Sequence, residues 1–297
     1  MNNNKIDVTL KSKEYKKKSQ FMETWQRLCK NKTAILGLIV FIIIIVMSVS
    51  APLFLDYDTQ IIKMNIPEKL QAPSAAHPFG TDEMGRDILA RVIWGSQISL
   101  RIGFATIIFA LFMGGIFGSI AGFFGGWIDN VIMRIMDIFL AIPGTLLAMC
   151  IVAALGASEM NLIIAMAISY MPTFSRVVRG PVLTVRGAEY VEAARAIGAK
   201  NSTIIMSHVL PNCMAPVIVQ TSLSIGGIIL SIAGLSFLGL GVQPPEPEWG
   251  ALLSGARTYI RDQSYMAMFP GLAIMVTILS LNLLGDGLRD ALDPRLK

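Results

Sequence analysis

Stretches free of Asp, Glu, Lys and Arg constrain this chain more than any other feature. Residues 33–55, 102–128, 138–158, 160–175, 201–245 and 263–285 contain none, in runs of 23, 27, 21, 16, 45 and 23 positions. A helix needs about 20 apolar residues to cross the hydrocarbon of a bilayer. Five runs are long enough. The 16-residue run can be completed by Arg176, whose aliphatic stem lies along apolar surroundings while its head reaches water. The start of the 45-residue run, residues 201–212, is rich in Asn, Ser and Thr and carries His208 and Pro211, so one span is expected near 216–240. The expectation is an all-α integral membrane protein with six transmembrane helices. Only 15% of residues are charged and the mean hydropathy is +0.60, which excludes an ordinary soluble enzyme and a disordered chain.

Basic residues orient the spans, because Lys and Arg accumulate on the cytoplasmic side. The tail 1–32 carries nine, including Lys16, Lys17 and Lys18; residues 176–213 carry five and the C-terminal tail three. The loops 56–97 and 241–262 carry four and two. Six spans with the N-terminus inside place 17 basic residues (9 + 5 + 3) in the cytoplasm and six (4 + 2) outside. The first apolar run is span-length without a small-residue cleavage site, so the start reads as a basic arm rather than a signal peptide, ending in a short interfacial helix around 21–29. The expected organisation is a cytoplasmic arm 1–33, a first span 34–55, an extracytoplasmic segment 56–96, a core 97–286 with five helices, and a cytoplasmic tail 287–297.

Within the spans, Gly114, Gly118, Gly122 and Gly126 recur at intervals of four and form one smooth stripe on a helix, suited to close approach of a neighbour, static or sliding. Pro143 and Pro172 allow kinks. Asp137 follows Arg134 by one turn and can pair with it at the start of the third span; a substrate-sensing carboxylate is the alternative reading. The 17 methionines are scattered, as core or lipid-facing filler would be, and Cys29, Cys150 and Cys213 form no CxxC pair. The chain has no GxxxxGK[ST], HExxH or GxSxG motif. With two histidines, His77 outside and His208 inside, a metal site is not expected, nor is a cofactor in this chain.

Residues 187–212, GAEYVEAARAIGAKNSTIIMSHVLPN, form the most distinctive cytoplasmic stretch. Helix formers dominate up to Ile197, Gly198 suits a left-handed C-terminal cap, Asn201 or Ser202 can cap a second helix, and Pro211 is expected to end it. Ala193 and Ala194 offer a low surface to a docking partner, and Glu192 a directional charge; an ordinary amphipathic loop is the other reading.

This stretch resembles the signature E-A-A-x(3)-G-x(9)-I-x-L-P of inner-membrane subunits of binding-protein-dependent ABC importers. It matches at Glu192, Ala193, Ala194, Gly198, Leu210 and Pro211, and departs at His208, which resembles the peptide-class variant. Residues 77–100, HPFGTDEMGRDILARVIWGSQISL, and 235–257, LSFLGLGVQPPEPEWGALLSGAR, are similar to the C-type permeases of the dipeptide, oligopeptide and nickel importers. The resemblance implies a type I ABC importer permease fold in the cytoplasmic membrane and no enzymatic activity of its own. It also implies a homologous permease partner, two cytoplasmic ATPase subunits that bind the ATP and Mg, and an extracytoplasmic substrate-binding protein. No nucleic acid is expected. The coupling residues it implies are Glu192, Ala193, Ala194, Gly198, His208, Leu210 and Pro211. Short peptides are the implied substrate, with nickel or a metal chelate as the alternative. A stand-alone secondary transporter or channel would want buried ionisable residues, and only Asp137 is a candidate. Bottom-up, Pro78, Gly80 and Gly85 with Asp82, Glu83, Arg86 and Asp87 predict a structured turn. Residues 242–249, with three prolines, predict a rigid outer loop whose Trp249 sits at the interface.

Overall fold

The computed structural model describes residues 20–292. The run Lys16, Lys17 and Lys18, most of the basic arm and the last five residues of the tail lie outside the described residues. Eleven α-helices follow one another, and no β-strand occurs among the described residues.

Helix α1 (Gln20–Leu28) is the expected short N-terminal helix; Leu28 is buried with Ala34 and Ala291, while Trp25 and Met22 are exposed. Asn31 caps α2 (Lys32–Phe54) by accepting from the amides of Thr33 and Ala34. Asp87 caps α3 (Ile88–Phe124) through the Ala90 amide at 2.8 Å. At about 1.5 Å per residue, a helix of 37 residues reaches well beyond a bilayer core, so α3 starts 14 residues before its charge-free run.

The third expected span is not one helix. It divides into α4 (Gly126–Leu140) and α5 (Gly144–Leu155), which meet at 84°. Pro143 supplies no amide to the preceding turn and stands as the N-cap of α5, so a full corner replaces the expected kink. Among the described residues five helical stretches are each long and apolar enough to cross a membrane, and there are six if the bent pair counts as one broken span. After α6 (Glu159–Val185), the short α7 (Glu189–Ala196) and α8 (Asn201–Thr203), a π turn (Ile204–Val209) leads into α9 (Leu210–Phe237). Pro211 therefore does not end a helix. It occupies the first turn of α9, where a missing amide costs nothing. Nor do Asn201 or Ser202 cap: Lys200 holds that position without a side-chain bond. The α10 (Trp249–Ala256) and α11 (Tyr265–Leu292) helices complete the chain.

The core lies where α3, α6 and α9 converge, around Ile102, Ile107, Leu162, Met166, Phe174, Ile228, Ile229 and Ile232. Glycine lets α3 and α6 close. A Cβ at Gly114 would stand 2.7 Å from the Met171 carbonyl, and one at Gly122 2.8 Å from Val182 Cγ1. A Cβ at Gly118 would collide with the Ser175 carbonyl. Gly126 does not belong to this stripe, because α3 has ended at Phe124 and nothing lies within 4 Å of a Cβ there. Gly125 and Gly126, both with positive φ, instead form the junction at which α3 ends and α4 begins.

At one end of the bundle, residues 56–87 and 241–264 build a cap. Arg86 pairs with Asp82 at 2.7 Å, and Arg91 donates to the carbonyls of Ile61 (2.7 Å) and Pro245 (3.2 Å), binding the two segments together. Trp249 is not interfacial: it is 1% exposed and its Nε1 donates to the Val92 carbonyl at 2.9 Å. Glu248, equally buried, accepts from the Ser99 hydroxyl (3.0 Å) and the Ala251 amide (2.9 Å), and burial pushes its carboxyl above the ordinary range. A folded-state value above the unfolded one contributes stability at low pH that is lost as pH rises through the folded value. Glu248→Gln is expected to keep the cap and remove this loss on raising the pH above the ordinary carboxylate range, read as a flatter pH dependence of thermal unfolding in detergent; an unchanged slope would show that Glu248 contributes none of it.

Candidate functional site

The end of the bundle opposite the cap carries residues 187–212, an elbow made of α7, α8, the π turn and the start of α9. The Arg186 amide closes the last turn of α6 on Val182, and its Nη1 donates to the Gly122 carbonyl at 3.0 Å, which fixes the exit of α6 to the end of α3. Glu189 and Glu192 lie in the first turn of α7 and Arg195 in its last, each complementing the helix dipole. The helix stops in a Schellman pair: Ala199 N–H to Ala194 O at 3.1 Å and Gly198 N–H to Arg195 O at 3.0 Å, with Gly198 at φ +82°. The chain then turns back at Asn201.

Val191 and Ala194, one turn apart, are the inward face of α7. They pack with Ile204, Val209 and Cys213 against Phe123, Val178 and Val182 of the bundle. The Arg195 guanidinium lies 5.5 Å from the Phe123 ring centre. The elbow is thus a rigid extension of the spans rather than a loop tethered at two points.

The candidate coupling residues divide by exposure. Glu192, Ala193, Gly198 and Pro211 are exposed, whereas His208 and Leu210 are half-buried in the return helix. The His208 carbonyl accepts from Asn212 Nδ2 at 2.7 Å. Ala194 is buried and belongs to the elbow's own core, not to the low outer surface expected of it. The structure adds a residue that sequence reasoning missed. Ile197 is 86% exposed and lies outside every candidate span; Tyr190 and Met206 of the same stretch are exposed as well. Counting three on from Ala194 would turn position 197 inward. The helix ends at Ala196 and bends left-handed at Gly198, so Ile197 turns out instead.

Ion pairs near this end also differ from the local expectation. Asp137 pairs not with Arg134 but with Arg176 at 2.6 Å, and Asp129 receives Arg179 Nη2 at 2.6 Å and also its Nε. Both arginines belong to α6, so α4 is held to a helix distant in sequence.

Comparison with known proteins agrees with this architecture. The family described as the binding-protein-dependent transport system inner membrane component matches residues 114–297, and the N-terminal TM domain of oligopeptide transport permease C matches residues 19–73. The chain is 47% identical over 284 residues to the dipeptide transport system permease protein DppC of Alkalihalophilus pseudofirmus, covering 96% of this chain and 93% of that one. It is 44% identical to the di/tripeptide transport system permease protein DppC of Pseudomonas aeruginosa (94% and 93% covered). It is 41% identical to the glutathione transport system permease protein GsiD of Pectobacterium atrosepticum (94% and 93% covered). Among solved structures, an inward-facing MetNI methionine ABC transporter chain superposes with a TM-score of 0.55 at 18% identity, over 69% of this chain and 96% of that one, which shows a shared fold. This chain is therefore a multi-pass ABC importer permease subunit and belongs to the binding-protein-dependent transport system inner membrane component family.

Proposed function

We propose that this permease carries short peptides inward across the cytoplasmic membrane. The supporting observation is that relatives 41–47% identical over nearly the whole chain are named for dipeptide, di/tripeptide and glutathione transport. Peptides share a backbone and two charged ends, so a binding protein can grip those common groups and the pathway need only pass the released molecule. A homologous permease completes the pathway. Two ATPase subunits, binding ATP and Mg, dock on the elbow through Glu192, Ala193, Gly198 and the exposed Ile197. Because Val191, Ala194 and Ile204 seat the elbow in the bundle core, a push on it moves α6 and α9 as a body. Deleting this gene alone, in a strain without a redundant importer, is expected to abolish growth on di- to hexapeptides that supply a required amino acid. Unchanged peptide growth together with a fall in cellular nickel would move the assignment to metal uptake.

The orientation follows the basic residues, with the elbow and both termini in the cytoplasm and the cap outside. Cysteines at Gln71 and Gln243, both exposed on the cap, are expected to react with an impermeant thiol reagent in intact cells, and cysteines at positions 12, 200 and 295 are not. Labelling at 200 from outside would invert the topology.

A further inference from the structure

We infer that the peptide's path through this subunit runs along one uncharged polar face, formed by Tyr170 of α6 and Gln220, Ser224 and Ser231 of α9. The inference rests on the peptide-permease reading above and specifies which residues would meet the peptide. The argument begins with the two sides of α9. Its inward side is Ile225, Ile228, Ile229, Ile232 and Leu235, all buried. A flank about a quarter-turn round the helix, at steps of four, three and four, is Gln220, Ser224, Gly227 and Ser231, and the chain leaves Gly227 exposed and the other three only half-buried.

Most uncovered positions elsewhere in the spans have another character, with Asn282 of α11 an exposed amide among them. Leu36, Ile43 and Val49 on α2, Ile108 and Phe112 on α3, and Leu272 and Leu279 on α11 are what hydrocarbon requires. An amide and hydroxyls on α9, near the middle of the helix, are not. Ser224 lies at the centre of Leu210–Phe237 and Tyr170 near the centre of Glu159–Val185, so neither can reach the interface. This face meets water or another protein, not lipid.

The side chains are also arranged together. Gln220 Nε2 donates to Ser224 Oγ at 3.1 Å, and the Tyr170 hydroxyl lies 3.4 Å from Ser231 Oγ across the α6–α9 contact. Ser231 donates to the Gly227 carbonyl at 2.8 Å, which fixes its hydroxyl on the surface. Gly227 lies beside the Tyr170 hydroxyl, since a Cβ there would stand 3.8 Å from the phenol oxygen, an ordinary contact distance. No charged group belongs to the face. Amide and hydroxyl groups match the repeating N–H and C=O of a peptide backbone, whatever its side chains. They offer no counter-charge that would hold either terminus, so a peptide can pass without being trapped.

The test uses the full transporter, with its partner permease, ATPases and binding protein, in proteoliposomes. Cys29, Cys150 and Cys213 are first replaced by Ala. Single Ser224→Cys and Ser231→Cys variants are then compared with the lipid-facing Leu279→Cys and the buried Ile228→Cys, using a charged, water-soluble methanethiosulfonate. Because the thiolate form reacts and forms only in water, Ser224→Cys and Ser231→Cys are expected to be modified at least about tenfold faster than both controls. Their modification is expected to block uptake. Rates equal to those of Leu279→Cys, while unmodified protein still imports peptide, would overturn the path. Fast labelling in a transporter that carries no peptide would leave the path standing and remove the substrate reading.

Discussion

Ile197→Asp is expected to release the ATPase subunits while leaving the permease folded in the membrane. Ile197 is 86% exposed and so contributes almost nothing to the elbow's own core, which is made by Val191, Ala194, Ile204, Val209 and Cys213. An exposed apolar side chain at the C-terminal cap of α7, outside the spans, suits a partner's pocket. Truncating such an anchor costs about 2 kcal/mol or more of binding, roughly 30-fold in affinity, and a buried carboxylate adds a desolvation penalty. Co-purification of tagged ATPase with the variant should fall by at least that factor, with loss of uptake and normal membrane levels. Gly198→Val should give the same phenotype for another reason, since φ +82° strains a β-branched residue and the Schellman turn must open. Wild-type association in both variants would show that the elbow tip is not the docking surface.

How much of this was legible in the sequence depends on how local the cause is. The first span was legible because a charge in hydrocarbon is costly, so the gap 33–55 marks Lys32–Phe54 almost to the residue, whereas α3 starts 14 residues before its gap and the gap 138–158 falls across the corner between α4 and α5. The left-handed cap at Gly198 was legible because only the residue's own backbone matters. Pairings were not. Arg134 is one turn from Asp137, but Arg176 and Arg179 reach α4 from another helix, and nothing in local spacing distinguishes the two solutions. Trp249 resembles an interfacial anchor in sequence, yet the Val92 carbonyl offers its indole a buried acceptor. Proline carries two meanings as well: Pro143 makes a corner, whereas Pro211 starts a helix. Ala194 faces in rather than out, and Ile197, to which the sequence assigned no role, is exposed because α7 ends at Ala196.

Gly118→Val carries the largest expected structural effect. Positions 114, 118 and 122 bring α3 so close to α6 that backbone meets backbone. At Gly118 a new Cβ meets the Ser175 carbonyl and, at 3.0 Å, Val178 Cβ; neither is the free end of a flexible side chain that could swing away. Relief requires the helices to part, which opens the contact on which Phe174, Val178 and Val182 are buried. Overpacking a core costs about 1–3 kcal/mol when neighbours can adjust, and a collision with fixed backbone exceeds that. The variant is expected to fail to accumulate as full-length membrane protein, or to melt well below wild type in detergent. Gly115→Val supplies the matched control: it sits on the same helix, with nothing within 4 Å of its Cβ and no positive φ, and should accumulate normally. Gly126→Ala should cost only about 1 kcal/mol, from the φ of +56° alone, because no helix packs there. If Gly118→Val were as stable and active as Gly115→Val, the α3–α6 contact could not be the close-packed seam around which this permease is built.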